Sequence, residues 1–251
     1  MSNGLLLAGN VFINRFDDTG AKTGFIGPIN VTKLAVNTPS EEKTRISKQK
    51  QSRGQALDTV VTAKPTELEI AMDDAPADIL AMALLGEVST VNIGSGNSSD
   101  ETVNLPAHGR WVKLLKSNLG AEGLSAKLAS DDSVIDVVAD IEVNYAAGLV
   151  RATPSGTLAA GASIKLSYDF NATAANLMRG GLKPQVVCEI LLEGTNLTNG
   201  KAATLSIPKA SLAPSAAVDF MADEFVSTAL KGTAVLAAGE TAPFSYSEHS
   251  A

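Results

Sequence analysis

Few residues in this chain have the type and spacing that acid–base, nucleophilic or metal chemistry needs. There are two histidines, His108 and His249. His249 falls in the segment 240–251, which reads as a loose C-terminal tail. His108 sits in a loop setting between Pro106 and Gly109, where a surface histidine is a plainer reading than a general base. The one cysteine, Cys188, alternates with Val186, Ile190 and Leu192 and is expected to be a small buried hydrophobe. One cysteine and two distant histidines offer no zinc spacing. Asp17-Asp18, Asp73-Asp74 and Asp131-Asp132 are adjacent pairs, unlike the spaced acids of a calcium loop, and read as turns and a helix cap. Gly94-Ser95-Gly96 lacks the third glycine of a dinucleotide site. The expectation is therefore no catalytic, cofactor-binding or metal site, and a chain that is not an enzyme.

Attention then moves to the elements themselves. The chain has 251 residues, 45% of them hydrophobic but only 4% aromatic. That is enough for a core, built mostly from small and aliphatic side chains that would lean on neighbouring subunits. The net charge of −7 argues against stable binding to nucleic acid. A single cysteine allows no intrachain disulfide. No apolar run approaches the length of a membrane span, and Leu5-Leu6-Leu7-Ala8 lacks the charged flank of a leader, so a soluble protein made in the cytoplasm is expected.

Alternating patterns predict strands at Val11–Ile13, at Phe25-Ile26 and over Ile29–Val36. They continue over 58–72, most cleanly in Thr66–Met72, and at Asp140–Tyr145, Leu149–Arg151, Ile164–Phe170, Val186–Leu192, Thr204–Ile207 and Phe225–Leu230. In Thr66–Met72, Leu68, Ile70 and Met72 take one face while Glu67 and Glu69 take the other. One helix follows. Asp73 or Asp74 caps it, Pro76 lies in its first turn, Ile79, Leu80, Ala83 and Leu84 form its stripe, and Gly86 closes it. Gly94–Asp100 reads as a polar loop. Residues 37–57 read as a long exposed loop carrying Lys43, Arg45, Lys48, Lys50 and Arg53. No Lys or Arg occurs between Pro65 and Gly109, where eight acids lie. A basic loop thus precedes an acidic stretch.

Several stretches in this order carry a resemblance. Leu68-Glu69-Ile70-Ala71-Met72-Asp73-Asp74 is followed by Ala77–Gly86. Asp140–Asn144, Gly148–Val150, Pro154–Thr157 and Leu166-Ser167-Tyr168 come next, then Glu193–Asn196, Asn199–Lys201, Ser206–Ala210 and Ala222–Phe225. The succession resembles the major tail tube protein of long-tailed, non-contractile (siphovirus-type) bacteriophages over residues 9–232. It departs from the minimal pattern by a strand-rich module inserted at 88–172.

The resemblance implies a mainly β fold with one short α-helix. That fold is a tail-tube-type β-sandwich or barrel, a single domain over 1–251, whose strands join a hexameric central β-barrel. Homo-hexameric rings would stack head to tail into the conduit for genome delivery. It also implies tail terminator and tail tip proteins at the tube ends, and a tape measure protein and, transiently, DNA in the lumen. The subunit would belong to the virion tail, be assembled in the host cytoplasm and need no membrane. On this basis Lys43, Arg45, Lys48, Lys50 and Arg53 are candidate inter-ring contacts. Glu67, Glu69 and, less directly, Glu189 are candidate lumen-facing residues. The inner tube of a contractile tail or secretion-type machine, a β-rich binding module and an enzyme with an unrecognised site remain as alternatives.

Overall fold

A computed structural model describes residues 4–107 and 109–249. The chain is mainly β with one short helix among the described residues. Its described residues divide into two compact units, one of residues 4–88 and 178–249 and one of residues 89–177.

The first unit begins with β1 (Leu7–Phe16), β2 (Lys22–Ile29), β3 (Val31–Asn37), β4 (Ser40–Ile46), β5 (Ala56–Ala63), β6 (Glu67–Met72) and α1 (Ala77–Ala83). The chain leaves it along β7 (Glu87–Ile93). In the second unit follow β8 (Gly96–Asn104), β9 (Val112–Lys113), β10 (Ser125–Leu128), β11 (Val134–Ile135), β12 (Ile141–Asn144), β13 (Leu149–Ala152) and β14 (Ser163–Phe170). The return is along β15 (Thr173–Arg179), which pairs with β7. The first unit is completed by β16 (Val186–Asn196), β17 (Lys201–Pro214), β18 (Thr228–Ala234) and β19 (Ser245–His249).

The main sheet of the first unit runs β2-β1-β16-β17-β18-β6-β3, with β19 added on β17. Its two outermost strands, β2 and β3, are consecutive in sequence. Ile29 pairs with Val11 at one end of the sheet, Val31 pairs with Met72 at the other, and only Asn30 lies between. A sheet whose opposite ends are one residue apart must roll around its own inner face. Bulges in the β1–β2, β3–β6 and β16–β17 ladders supply the extra bend. The ladder is not closed into a barrel, because β2 and β3 do not pair.

The corner is held by side chains. The Asn30 N–H donates to Asp74 Oδ2 at 2.7 Å and Asn30 Nδ2 donates to Asp73 Oδ1 at 2.7 Å. The acid pair expected to cap the helix is therefore committed elsewhere. Pro76 takes the N-cap position in an extended conformation with no side-chain cap bond. At the other end Leu85, not Gly86, adopts the left-handed conformation (φ 52°), its side chain packing on the core. Gly86 is required for a different reason: a Cβ there would lie 2.3 Å from the Arg179 carbonyl oxygen. The helix buries Ile79, Ala81, Met82 and Ala83, so the stripe is rotated from the one expected. Two turns are too few for a 3.6-residue period to define a face.

The core inside the roll is formed by Leu68, Ile70 and Met72 of β6, Val186, Cys188 and Ile190 of β16, Val11 and Ile13 of β1, and Ile79 and Met82 of α1. The alternation in β6 and β16 sets these faces as expected. In β3 the bulge near Val31 changes the pattern, and Val31, Leu34 and Val36 pack inward while Thr32 is exposed. Two expectations near the chain end are corrected. The strand expected over Phe225–Leu230 begins only at Thr228 and continues to Ala234. Part of the tail expected to be loose is β19, whose Ser245–His249 pair with Ser206–Ala202.

The second unit holds a four-stranded sheet, β11-β10-β14-β8, and a three-stranded one, β12-β13-β9. Ile164, Leu166 and Tyr168 of β14 enter its core with Val150, Ala152 and Leu105. Gly94–Asp100, expected as a loop, is largely strand β8. Asn97 pairs with Asp169 in the ladder, and its Nδ2 donates to Asp169 Oδ1 at 2.9 Å. Cross-strand bonds to β14 outweigh the low strand propensity of Gly, Asn, Ser and Asp.

Candidate assembly surface

The most distinctive part of the first unit is a projecting ribbon. The antiparallel β3–β6 pair does not stop at the sheet edge. Lys64 donates its backbone N–H to the Pro39 carbonyl at 2.9 Å, and the ladder continues as β4–β5, with Ser40 opposite Ala63 and Arg45 opposite Asp58. The loop expected over 37–57 is thus a β-hairpin with a compact tip. Cross-strand partners explain it. Thr44 meets Thr59 at 3.3 Å, Arg45 Nε donates to Asp58 Oδ2 at 2.9 Å, and Lys64 lies 3.6 Å from Glu41. At the tip Ser47 is buried, its Oγ 2.7 Å from Ser52 Oγ, and its carbonyl accepts the Gly54 N–H at 3.0 Å. Gly54 supplies the left-handed turn (φ 89°).

Every residue of β4 and β5 is exposed, including Ile46, Leu57, Val60 and Val61, the last at 62%. Seven residues at about 3.4 Å each give the β4–β5 arm a reach of about 24 Å. The five basic candidates all lie on it, Lys43 and Arg45 on β4 and Lys48, Lys50 and Arg53 on the tip. Arg45 is paired with Asp58. Lys43, Lys48, Lys50 and Arg53 form no ion pair among the described residues.

The acids expected to answer this charge do not form one patch. Asp73 and Asp74 latch the Asn30 corner, Glu87 binds Lys183, and Asp100 and Glu101 belong to the second unit. Glu67 and Glu69 lie on the outer face of β6, away from the roll's core. Glu67 accepts a bond from Asn37 Nδ2 at 3.1 Å. Glu69 sits 2.8 Å from Lys33 Nζ and pairs in register with Lys231. The hydrogen bond from Lys33 holds its carboxyl below the usual range. Glu189 is separate from these two. It lies on β16, only 16% of its side chain is exposed, and it is bound by Lys22 at 2.8 Å and Asn14 at 3.4 Å.

A second exposed element went unread as a surface in the sequence. Residues 216–227 connect β17 to β18, beyond the bond from the Ser215 N–H to the Ala229 carbonyl. Phe220, Met221 (89% exposed) and Phe225 (97% exposed) project from it beside Asp219, Asp223 and Glu224. The signal available was a run with three acids, three large apolar residues and no Lys or Arg.

Cys188 is fully buried, and burial pushes its thiol up to about 12. Asp17 accepts the Thr19 and Ala21 N–H groups at 2.9 Å, and Asp131 accepts that of Ser133 at 3.0 Å, so both close turns as expected. His249 contacts Ser247 at 3.2 Å within β19. His108 lies outside the described residues. Among the described residues no group of three His, Cys, Asp or Glu side chains is placed to hold a metal, and no helix is long and apolar enough to cross a membrane.

No curated protein matches the chain. A family model does, over residues 5–247, and the chain belongs to that family, described as "Protein of unknown function UCP028589".

Proposed function

We propose that this chain is the subunit of a tubular assembly, the tail tube of a long-tailed, non-contractile phage. Hexameric rings stack head to tail into the conduit for genome delivery. The observation that carries the reading is the β4–β5 arm, a ribbon about 24 Å long that buries none of its strand residues in its own chain. Isolated two-stranded ribbons are marginal in water. An arm of this kind, with apolar and basic side chains along it, gains its stability by docking on a neighbour. In a stack the neighbour is the next ring.

Two further features support the reading. The rolled sheet keeps β2 and β3 as unpaired edges, which lateral neighbours in a ring cover. Its outer face sets Glu69 against Lys33 and Lys231 and Glu67 against Asn37, a mixed surface suited to a bore that passes a polyanion without gripping it. Tube ends would meet terminator and tip proteins, and the bore would hold a tape measure protein before DNA.

Negative-stain electron microscopy of the purified protein tests the proposal. Rings and hollow tubes are expected. Dispersed monomers at every concentration and ionic strength would overturn it.

A further inference from the structure

The arm and the 216–227 loop occupy opposite ends of one strand pair. In the β6–β18 ladder, Glu67 stands opposite Thr233 and Met72 opposite Thr228. The arm enters β6 at its Glu67 end, with three residues between Ala63 and Glu67. The loop enters β18 at Thr228, the Met72 end. Antiparallel pairing therefore sends the two projections out of the first unit in opposite directions along the strand axis.

Their chemistry is complementary as well. Residues 43–57 carry Lys43, Arg45, Lys48, Lys50 and Arg53 and no acid, with Ile46 and Leu57 exposed beside them. Residues 215–227 carry Asp219, Asp223 and Glu224 and no base, with Phe220, Met221 and Phe225 exposed. A phenylalanine at 97% exposure has no role within its own chain. A loop of this length without secondary structure belongs to the class that usually carries function.

We infer that the acidic, aromatic loop 216–227 of one copy is the docking site for the basic arm of the next. This names the partner surface of the arm and rests on the stacking reading above. The contact is heterologous: arm meets loop, and each copy still presents a free arm at one end and a free loop at the other. Such a contact does not close on itself and propagates as a filament. Opposite charge sets register and steers encounter, while Phe220, Met221 and Phe225 bury against the aliphatic arm.

Two measurements test the inference on the full chain. In the first, Ser52→Cys and Ala222→Cys proteins are mixed and treated with a short bismaleimide; Cys188 is buried and stays unmodified. The mixture is expected to give at least about tenfold more covalent dimer than either protein alone, and an excess lost in high salt. Equal yields in the mixture and in the separate proteins would overturn the inference.

The second uses charge reversal. Lys48→Glu/Lys50→Glu/Arg53→Glu and Asp219→Lys/Asp223→Lys/Glu224→Lys are each expected to abolish stacking while leaving rings intact, and their combination is expected to restore tubes. Wild-type tube length in the loop variant would overturn the arm–loop contact while leaving the tubular reading in place. A selective crosslink from a protein that never forms rings or tubes would support the contact and overturn the tubular reading. The two therefore fail separately.

Discussion

The β3–β6 pair and the β4–β5 arm are one continuous ribbon, yet the two halves have opposite fates. Both have an intact backbone ladder. In the inner half, Leu68, Ile70 and Met72 alternate with Glu67 and Glu69, and the apolar face closes the roll. In the outer half, Val60 and Val61 are neighbours on opposite faces, and neither meets a core. Backbone hydrogen bonds replace bonds to water and contribute little net stability. Apolar burial separates the halves: the inner half is folded by its own chain, and the outer half waits for another.

This contrast can be broken experimentally, and the largest effect belongs to the inner half. Ile70→Ala is expected to cost about 2–5 kcal/mol in urea unfolding, because Ile70 is fully buried in the roll. A cost below about 1 kcal/mol would mean that the inner half is not part of a packed core.

Next comes Cys188, which faces the same core. Burial keeps its thiol neutral in the fold and holds it up to about 12, against an ordinary value of 9.0. The unfolded chain therefore loses this proton first as pH rises. The stability is fully present below about pH 9 and declines by about 1.4 kcal/mol per pH unit up to about pH 12. Unfolding midpoints of wild type and Cys188→Ala, compared at pH 8 and pH 10.5, are expected to converge at the higher pH. Parallel slopes would place the thiol in contact with water.

A smaller effect of opposite sign is expected at Thr228, where β18 begins. Its Oγ1 is buried and has no hydrogen-bond partner among the described residues. Thr228→Val removes an unsatisfied hydroxyl and is expected to stabilise the chain by about 1 kcal/mol, seen as a higher urea midpoint. The smallest effects belong to the arm. Val61→Ala and Arg45→Ala should each change monomer stability by no more than about 0.5 kcal/mol, while reducing tube length in electron micrographs. A loss of several kcal/mol from Val61→Ala would show that the arm packs on its own chain after all.

The same physics decides what could be read from the residues in order. Strands with a strict two-residue alternation, such as Leu68–Met72, Ile164–Tyr168 and Val186–Ile190, were legible because one face of each is buried by its own unit. Polar strands were not. Ser40–Ile46 and the Gly96–Asp100 half of β8 read as loops, since their partners in Ala56–Ala63 and Ser163–Phe170 supply the ladder and the cross-strand bonds. Among the candidate site residues, the side of β6 that carries Glu67 and Glu69 could be read. The ion pair of Glu189 with Lys22 could not, nor could the exposure of Phe220, Met221 and Phe225.

The amino-acid order by itself determined the β-rich class, the single short helix near Ile79, the burial of Cys188 and the gathering of basic residues between Lys43 and Arg53. These follow from composition and from patterns a few residues long. Only the tertiary structure decided that the sheet rolls through Asn30, that Asp73 and Asp74 latch this corner instead of capping the helix, and that a basic arm and an acidic loop leave the same ladder at opposite ends. Those outcomes depend on pairings between residues far apart in the chain, such as Val31 with Met72 and Met72 with Thr228, and register at that range is set by packing, which no local pattern encodes.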